Sequence, residues 1–498
     1  FIIHHSSLLI IVKSYWLQSG FFTLLDKLTQ MAFNLGGILI LLRLLDKQTS
    51  SAWALFLTIT AFIEIGRTGL LQNGMVTFLT TSEKSEHPKI LSASLFLNLS
   101  LSTLCVIGLI IGSFLIRNVF DYAELPHLLR IYAATTFVFS ALYQFNFVQQ
   151  ANLDYKGLFI AGFVKNGILF AYIAYLAVLK QEISLTNLAV CQLISAFPSA
   201  FVAYIMARKY LNFSKLDWNW VRKLFDYGKF TFGTNIATMT YKSVDKLMLG
   251  GLLKDMVSTY DVAIRVNNIA EVPTTTLATI LFPQSAKRNH AEGASSSKYL
   301  YEKSVGILLG LILPMVVFIL IFADWIVKII GGAKFAESAP TLRLTIFYGV
   351  FMAFAIQFGT MLDAIGKPKV NFLITTLGAS VNLICNYLFI KQFGFYGACY
   401  GTLTAMTIMF IIMQITLNRM IGVQILQCFA YILPFYKDIL NKISGFFAKK
   451  QNTNGIIRTE SAPKTVETND KKESTVMNKA TEIEPIKPTK RRLYVEDL

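Results

Sequence analysis

The chain has 498 residues, of which 54% are hydrophobic and 15% charged, with a mean hydropathy of +0.53 and a formal net charge of +17. A soluble protein of this length would carry about a quarter charged residues, so a water-soluble globular fold is excluded. Nucleic-acid binding is excluded as the meaning of the positive charge, because most Lys and Arg fall in short loops, where membrane topology places them. Apolar runs of about 20 residues recur along most of the chain, and lipid admits only helices or closed barrels. Long runs without ten-residue alternation select helices, so the expected fold class is an all-α polytopic membrane protein.

In chain order, residues 1–19 stand apart. Phe1–Val12 is apolar but short, and Lys13 follows it, which does not read as a cleaved signal peptide. About twelve spans follow, at roughly 20–42, 53–80, 90–116, 127–149, 157–179, 185–207, 227–250, 259–285, 303–330, 341–363, 370–390 and 396–418. Loops on one side hold fifteen Lys and Arg, between Lys84 and Lys369, against seven on the other, between Arg43 and Lys391. The first set is therefore expected in the cytoplasm, with both termini. The basic loop around 208–226 carries LDWNWVRKLFDYGK, and its aromatic and basic alternation predicts an interfacial linker helix. It divides an N-lobe, 20–207, from a C-lobe, 227–418. Residues 419–448 read as an amphipathic surface helix or an extra span, interrupted by Pro434. Residues 449–498, rich in Lys, Glu, Thr and Pro, cannot bury a core and read as disordered. The five Cys are scattered in apolar text without metal or disulfide spacing.

Equal halves invite a search for a repeat. An offset of 207 aligns Leu42 with Leu249, Lys47 with Lys254, Ser51 with Ser258, Glu64 with Glu271 and Thr68 with Thr275, and sets Trp53 against Tyr260. Both hairpins run the same way, so the two six-helix lobes are related by an axis along the membrane normal, with a cavity between them.

Charges at membrane depth cost roughly 2.5–3.5 kcal/mol each on insertion scales and usually face a protein interior or a watery cavity. Lys242, Asp245 and Lys246 share one helical face, where Asp245 would neutralise one lysine and leave a net positive surface. Asp261 and Arg265 are spaced as a helical pair, as are Glu64 and Arg67. Asp26 and Lys27 sit in the first span, and Lys165 stands alone in the fifth. Each group reads either as a self-neutralised structural cluster or as contacts for an anionic ligand such as a phosphate. Asn382, Asn386 and Thr402 supply hard oxygen donors in the last two spans, as interhelical bonds or as part of a cation site. The chain contains no Walker A, HExxH or GxSxG motif and no clustered catalytic carboxylates, so no enzymatic activity is assigned.

The stretch SVDKLMLGGLLKDMVSTYDVAIRV, followed by ATILFPQSAK, resembles the polysaccharide and oligosaccharide repeat-unit flippases of the MATE-like MOP superfamily. The matching positions are Asp245, Lys246, Gly250, Tyr260, Ala263, Arg265, Phe282 and Pro283. Leu362–Ala405 resembles them again through its AIGK, VNLICN and FGFYGA motifs, and the likeness covers about residues 20–420. The resemblance implies a V-shaped fold of two six-helix bundles. It implies alternating access that carries an undecaprenyl-pyrophosphate-linked glycan across the bacterial inner membrane. Partners would be membrane lipids and the polymerase and glycosyltransferases of the same pathway, and no nucleic acid. Contacts to the anionic glycan would come from Arg265, Lys242, Lys246, Arg67 and Lys165. Related lipid II flippases imply a Na⁺ site at Asp245, Asn382, Asn386 and Thr402, where Asn386 replaces an acid found in some relatives. The coupling ion would be Na⁺ or H⁺, with no other cofactor and no structural metal. A multidrug/cation antiporter or a lipid II-type flippase is the alternative. Gly66–Leu79 (GRTGLLQNGMVTFL) resembles a subgroup of the same flippases without an assigned role.

Overall fold

The computed structural model describes residues 2–116, 119–253, 256–292, 294–438 and 440–441, with side chains described from Phe21 onward except Leu24, Ala270 and 279–296. The side chains of the first 19 residues and the tail at 449–498 therefore lie outside the described residues. Residues 1–437 form one unit. Its helices are α1 (Ile2–Leu44), α2 (Lys47–Thr81), α3 (His87–Leu115), α4 (Leu125–Ala151), α5 (Tyr155–Val178), α6 (Leu185–Ala207), α7 (Trp218–Leu252), α8 (Val257–Glu292), α9 (Ala294–Gly331), α10 (Ser338–Thr345), α11 (Tyr348–Ala364), α12 (Pro368–Phe393), α13 (Phe395–Ile421) and α14 (Ile425–Ala430). No strand occurs among the described residues.

Ten helical stretches among the described residues are long and apolar enough to cross a membrane, α10 and α11 together making one of them. The two that fall short are α7 and α8, the hairpin that carries the charges. Adding them restores the twelve expected spans. In the first half α1 packs on α5, α4 on α2, α3 and α6, and α5 on α6. In the second, α8 packs on α9, α10 and α11, while α12 packs on α7 and α13.

The halves meet along α2 and α7, which run antiparallel over the whole membrane thickness. Leu55 faces Gly250, Gly66 faces Phe232 and Ile236, Gly69 faces Asn235, and Gly74 faces Leu224 and Tyr227. Phe78 stacks edge-on to Trp220, ring centroids 5.5 Å apart. From Leu55 to Phe78 the seam is about 35 Å long at the α-helical rise. Small residues let backbones approach where no hydrophobic force draws helices together in lipid. The Gly66–Leu79 motif thus gains a role as the N-half side of this seam.

Residues 208–226 differ from their sequence reading in one respect. The linker helix is not separate from the seventh span: α7 starts at Trp218, capped by Asp217 Oδ1 accepting from Asn219 N at 2.9 Å, and continues to Leu252. Trp220 and Leu224 are buried against α2 and α3, Leu224 at Gly74 and Trp220 at Phe78, while Trp218 and Phe225 of the same segment stay exposed. After Gly422 (φ +72) ends α13, residues 423–436 dock on α9. Gly306 faces Cys428 and Tyr431, Gly310 faces Phe435, and the Tyr436 hydroxyl donates to Gly310 O at 2.5 Å. Residues 442–448 lie outside the described residues.

At the end away from the basic loops, polar contacts clasp the halves. Ser258 N donates to Ser51 Oγ at 3.0 Å, and Ser258 Oγ donates to Lys47 O at 3.1 Å. These serines are 207 positions apart, the offset of the repeat expected from the sequence. Lys47 Nζ pairs with Glu337 at 2.7 Å, Arg43 Nη2 donates to Ile329 O at 2.9 Å, and Lys334 Nζ caps the end of α1 by donating to Leu45 O.

The seam makes a direct stability prediction. A methyl group at Gly228 would overlap the Leu70 carbonyl oxygen, a backbone atom that cannot swing aside. Gly228→Ala is expected to lower stability by about 1–3 kcal/mol. Gly108→Ala, where nothing lies within 4 Å, should be neutral or slightly stabilising. Thermal unfolding of the two purified variants in detergent checks the contrast.

Candidate functional site in the charged α7–α8 hairpin

Helical spacing puts Lys242, Asp245 and Lys246 on one face of α7, and the first turns of α8 lie beside them. The pairing differs from what spacing on one helix implies. Asp245 neutralises neither lysine. Lys246 Nζ pairs with Asp261 on α8, and Asp261 also accepts from Arg265 Nε at 2.6 Å. Lys242 pairs with Glu271, nearly three helical turns beyond Asp261 on α8. The cluster Lys242, Lys246 and Arg265 against Asp261 and Glu271 carries a formal charge of +1. The sequence reading missed Asp261 and Glu271 as cross-helix partners, because their proximity exists only once the hairpin closes.

Asp245 is 3% exposed and has a different environment. Its carboxylate accepts from the Tyr260 hydroxyl at 2.5 Å, from Lys246 N at 2.7 Å and from Thr402 Oγ1 at 3.4 Å. Thr402 Oγ1 in turn accepts from Asn386 Nδ2 at 3.0 Å, which also donates to Asn382 Oδ1 at 2.8 Å. Asn382 Nδ2 donates to Tyr241 O at 2.6 Å. The four residues of the candidate cation site therefore stand in one hydrogen-bonded chain. Gly394 (φ +61) reverses α12 into α13, and Gly401 lies against the backbone of Asn386, which sets Asn386 opposite Thr402. Asn386 Oδ1 is buried without a partner. Tyr260 and Tyr348, whose hydroxyls lie 3.4 Å apart, complete the surroundings. The sequence did hold a signal for Tyr260, since it stands in the matched motif.

A cavity of about 60 Å³ lies on this chain, lined by Asp245, Thr402, Lys242, Glu271, Asn267 and Tyr348. Asn267 is buried, and both polar atoms of its side chain lack partners. A second cavity, of about 240 Å³, adjoins it through Tyr241 and Lys242 and reaches Asp363 and Asn371.

The remaining predicted residues lie in the other half. Arg67 is 1% exposed; it donates to Glu64 Oε2 at 2.6 Å and Thr136 O at 2.7 Å and stacks over the Tyr143 ring. Glu64 Oε1 accepts from the Tyr132 hydroxyl at 2.7 Å. Lys165 Nζ stands 5.1 Å from the Phe139 ring centre and borders a cavity of about 410 Å³ within the first half.

Removing the shared carboxylate would leave two cations at depth without a counter-charge. Asp261→Asn is expected to cost about 3–5 kcal/mol, as for a broken buried pair. Glu271→Gln should cost less, because Lys242 is 35% exposed and reaches water. Thermal melts of both variants rank them.

The family model described as polysaccharide biosynthesis protein matches residues 40–340, more than half of the chain. An uncharacterized membrane protein of Methanocaldococcus jannaschii is 27% identical over 48% of this chain and 47% of its own length. A probable low-salt glycan biosynthesis flippase of Haloferax volcanii is 26% identical over 36% of this chain and 39% of its own. A teichuronic acid biosynthesis protein of Bacillus subtilis is 20% identical over 57% of this chain and 58% of its own. The chain thus spans about half the length of the curated relatives it matches. Its fold is shared with the lipid II flippase MurJ in an inward closed conformation, at 14% identity, TM-score 0.67 and coverage of 84% of this chain and 90% of that one. It is shared equally with an inward-facing MATE multidrug resistance transporter of the MOP superfamily, at 16% identity, TM-score 0.64 and coverage of 78% and 95%. The chain is a multi-pass membrane protein with a MATE-like fold, and it belongs to the polysaccharide biosynthesis protein family.

Proposed function

We propose that this protein is a flippase that carries an undecaprenyl-pyrophosphate-linked oligosaccharide across the bacterial cytoplasmic membrane by alternating access, for cell-surface polysaccharide synthesis. The observation that carries the reading is the α7–α8 cluster: three cations at membrane depth, each held by a carboxylate and each keeping accessible surface of its own. A pyrophosphate headgroup can take over Lys242, Lys246 and Arg265 from Glu271 and Asp261 as a charge-assisted partner, and the carboxylates can reclaim them on release. Exchange of one anion for another keeps the charges neutralised throughout. The headgroup drives the cycle only through different affinities for the two states, and the exchange supplies that difference if one state separates α7 from α8. Arg67 and Lys165 provide further positive charge in the N half. Family membership, the flippase and teichuronic acid relatives, and the fold shared with a lipid II flippase support the reading.

Asp245 has no ion-pair partner among the described residues, although it is buried. Its surroundings of hydroxyl and amide oxygens suit a proton or a hard cation such as Na⁺ as counter-charge. A turn of the Asn386 amide would bring its unpartnered oxygen toward Thr402, so the donor set fits such an ion. Asp245, Asn382, Asn386 and Thr402 would hold it, and its electrochemical gradient would supply the driving force. The fifteen-to-seven loop bias supports a cytoplasmic basic end, with both termini on that side. The clasp of Ser51, Ser258, Lys47 and Glu337 then closes the outer end. The pathway's polymerase and glycosyltransferases are the proposed partners.

Two measurements test the reading. Arg265→Ala is expected to abolish surface glycan while the protein still inserts at normal levels, with lipid-linked glycan accumulating in the inner leaflet. Normal surface glycan, or a changed drug-susceptibility profile in its place, would move the assignment to an antiporter. Joining the halves by a disulfide in a Ser51→Cys/Ser258→Cys variant should stop translocation, and reduction should restore it. Full activity of the cross-linked form would exclude opening at this end.

A further inference from the structure

Lys242, Lys246 and Arg265 of the charged hairpin are each paired with a carboxylate, and so is Arg67. Among the described residues Lys165 differs from them: no carboxylate lies within ion-pair distance of its ammonium group, and its near neighbour is the face of Phe139. It borders the 410 Å³ cavity enclosed by α1, α2, α4, α5 and α6. That volume lies in the range of small-ligand sites, roughly 300–1,000 Å³. The walls are amides, hydroxyls and aromatic rings, among them Asn34, Asn166, Gln192, Ser195, Tyr132 and Tyr143. Gln192 Oε1 is buried without a partner. Unpaired amide groups and a single ammonium are poor company for a lipid tail, since each costs free energy when it faces hydrocarbon. They match a ligand that presents many hydroxyls, with flat carbon faces for the rings and one negative charge.

We propose that this N-half cavity is a sugar subsite that reads a carboxylate-bearing residue, a uronic acid, of the lipid-linked glycan, with Lys165 as the carboxylate contact. The inference rests on the flippase reading and names its substrate class. Charge decides between a carboxylate and the pyrophosphate. Glu64 also lines the cavity, and although Arg67 neutralises it, it would repel a multiply charged group at short range. Asp26 and Glu64 act on the Lys165 ammonium only from beyond ion-pair distance, so a monoanion at contact distance would be its first direct counter-charge. A lysine also suits a point contact, where arginine would impose a planar fork. The two halves would then divide the substrate: pyrophosphate at the α7–α8 cations, acidic sugar in the N half.

The test uses the full-length protein in liposomes and two synthetic polyprenyl-pyrophosphate disaccharides, one ending in glucuronate and one in glucose. Translocation is read as accessibility to an impermeant oxidant, and binding as the thermal shift each lipid gives the protein in detergent. Lys165→Gln should lower transport of the glucuronate lipid at least about tenfold more than that of the glucose lipid, the loss expected for a charged hydrogen bond. Lys165→Arg should recover most of that difference. Equal losses on both lipids, with the fold intact by size exclusion, would overturn the proposal and make Lys165 structural. If the wild type moves neither lipid, the flippase reading fails. The thermal shift then still decides the subsite: a glucuronate-specific shift lost in Lys165→Gln supports it, and equal shifts overturn it.

Discussion

Ionised side chains in hydrocarbon must find counter-charges within the protein, and the architecture follows from meeting that requirement on α7 and α8. Lys242, Lys246 and Arg265 are tolerable because Asp261 and Glu271 on α8 stand beside them. The hairpin is too polar to stand at the lipid boundary on hydropathy alone. It is enclosed on several sides: α2 and α12 cover α7, and α9, α10 and α11 cover α8. Packing that encloses α7 needs close backbones, and Gly66, Gly69, Gly74 and Gly228 supply them. The glycine motif and the charge cluster, distant in sequence, are two consequences of one constraint.

The repeat shows how one scaffold was used twice with different chemistry. Ser51 and Ser258, aligned by the offset of 207, hydrogen-bond to each other. Glu64 and Glu271 are also aligned, yet their partners differ. Glu64 holds a buried Arg67 from its own helix, while Glu271 holds a partly exposed Lys242 from the neighbouring helix, and Lys242 borders two cavities. An ion pair within one helix survives movement of that helix. A pair between helices breaks when they separate. The second half therefore carries the pairs that a conformational change can exchange, and the first half carries a fixed one.

Much of this was legible in the sequence, for definable reasons. Twelve spans and the offset of 207 rest on apolar run length and periodicity, which are local or short-range signals, while the grouping of Asp245, Asn382, Asn386 and Thr402 comes from the resemblance to lipid II flippases. Asn386 and Thr402 meet because Gly394 and Gly401 fix the turn between their helices, and both glycines stand in the matched motif. What the sequence did not show depends on partners far along the chain. The capture of Lys246 by Asp261, the seating of Trp220 and Leu224 against α2, and the docking of 423–436 on Gly306 and Gly310 all need the fold to exist first. Hydropathy also undercounts the hairpin, since charges that neutralise each other across two helices look as costly as lone ones.

The arrangement on α7 gives a physical basis for coupling. Asp245 and Lys246 are adjacent, and Lys246 N donates to the Asp245 carboxylate while its side chain binds Asp261. Tyr260 contacts Asp245 and immediately precedes Asp261. A counter-charge at Asp245 thus acts on the same backbone units that hold the cation cluster. If a cation binds Asp245 more tightly when α7 and α8 are closed, the pairs with Asp261 and Glu271 are favoured and the headgroup is released. By linkage, a bound headgroup weakens cation binding by the same factor. The energy needed is small: a tenfold mutual effect corresponds to about 1.4 kcal/mol, less than one charge-assisted hydrogen bond at the stronger end of its range. One hydrogen bond gained or lost around Asp245 is enough to set the direction in which the cluster opens.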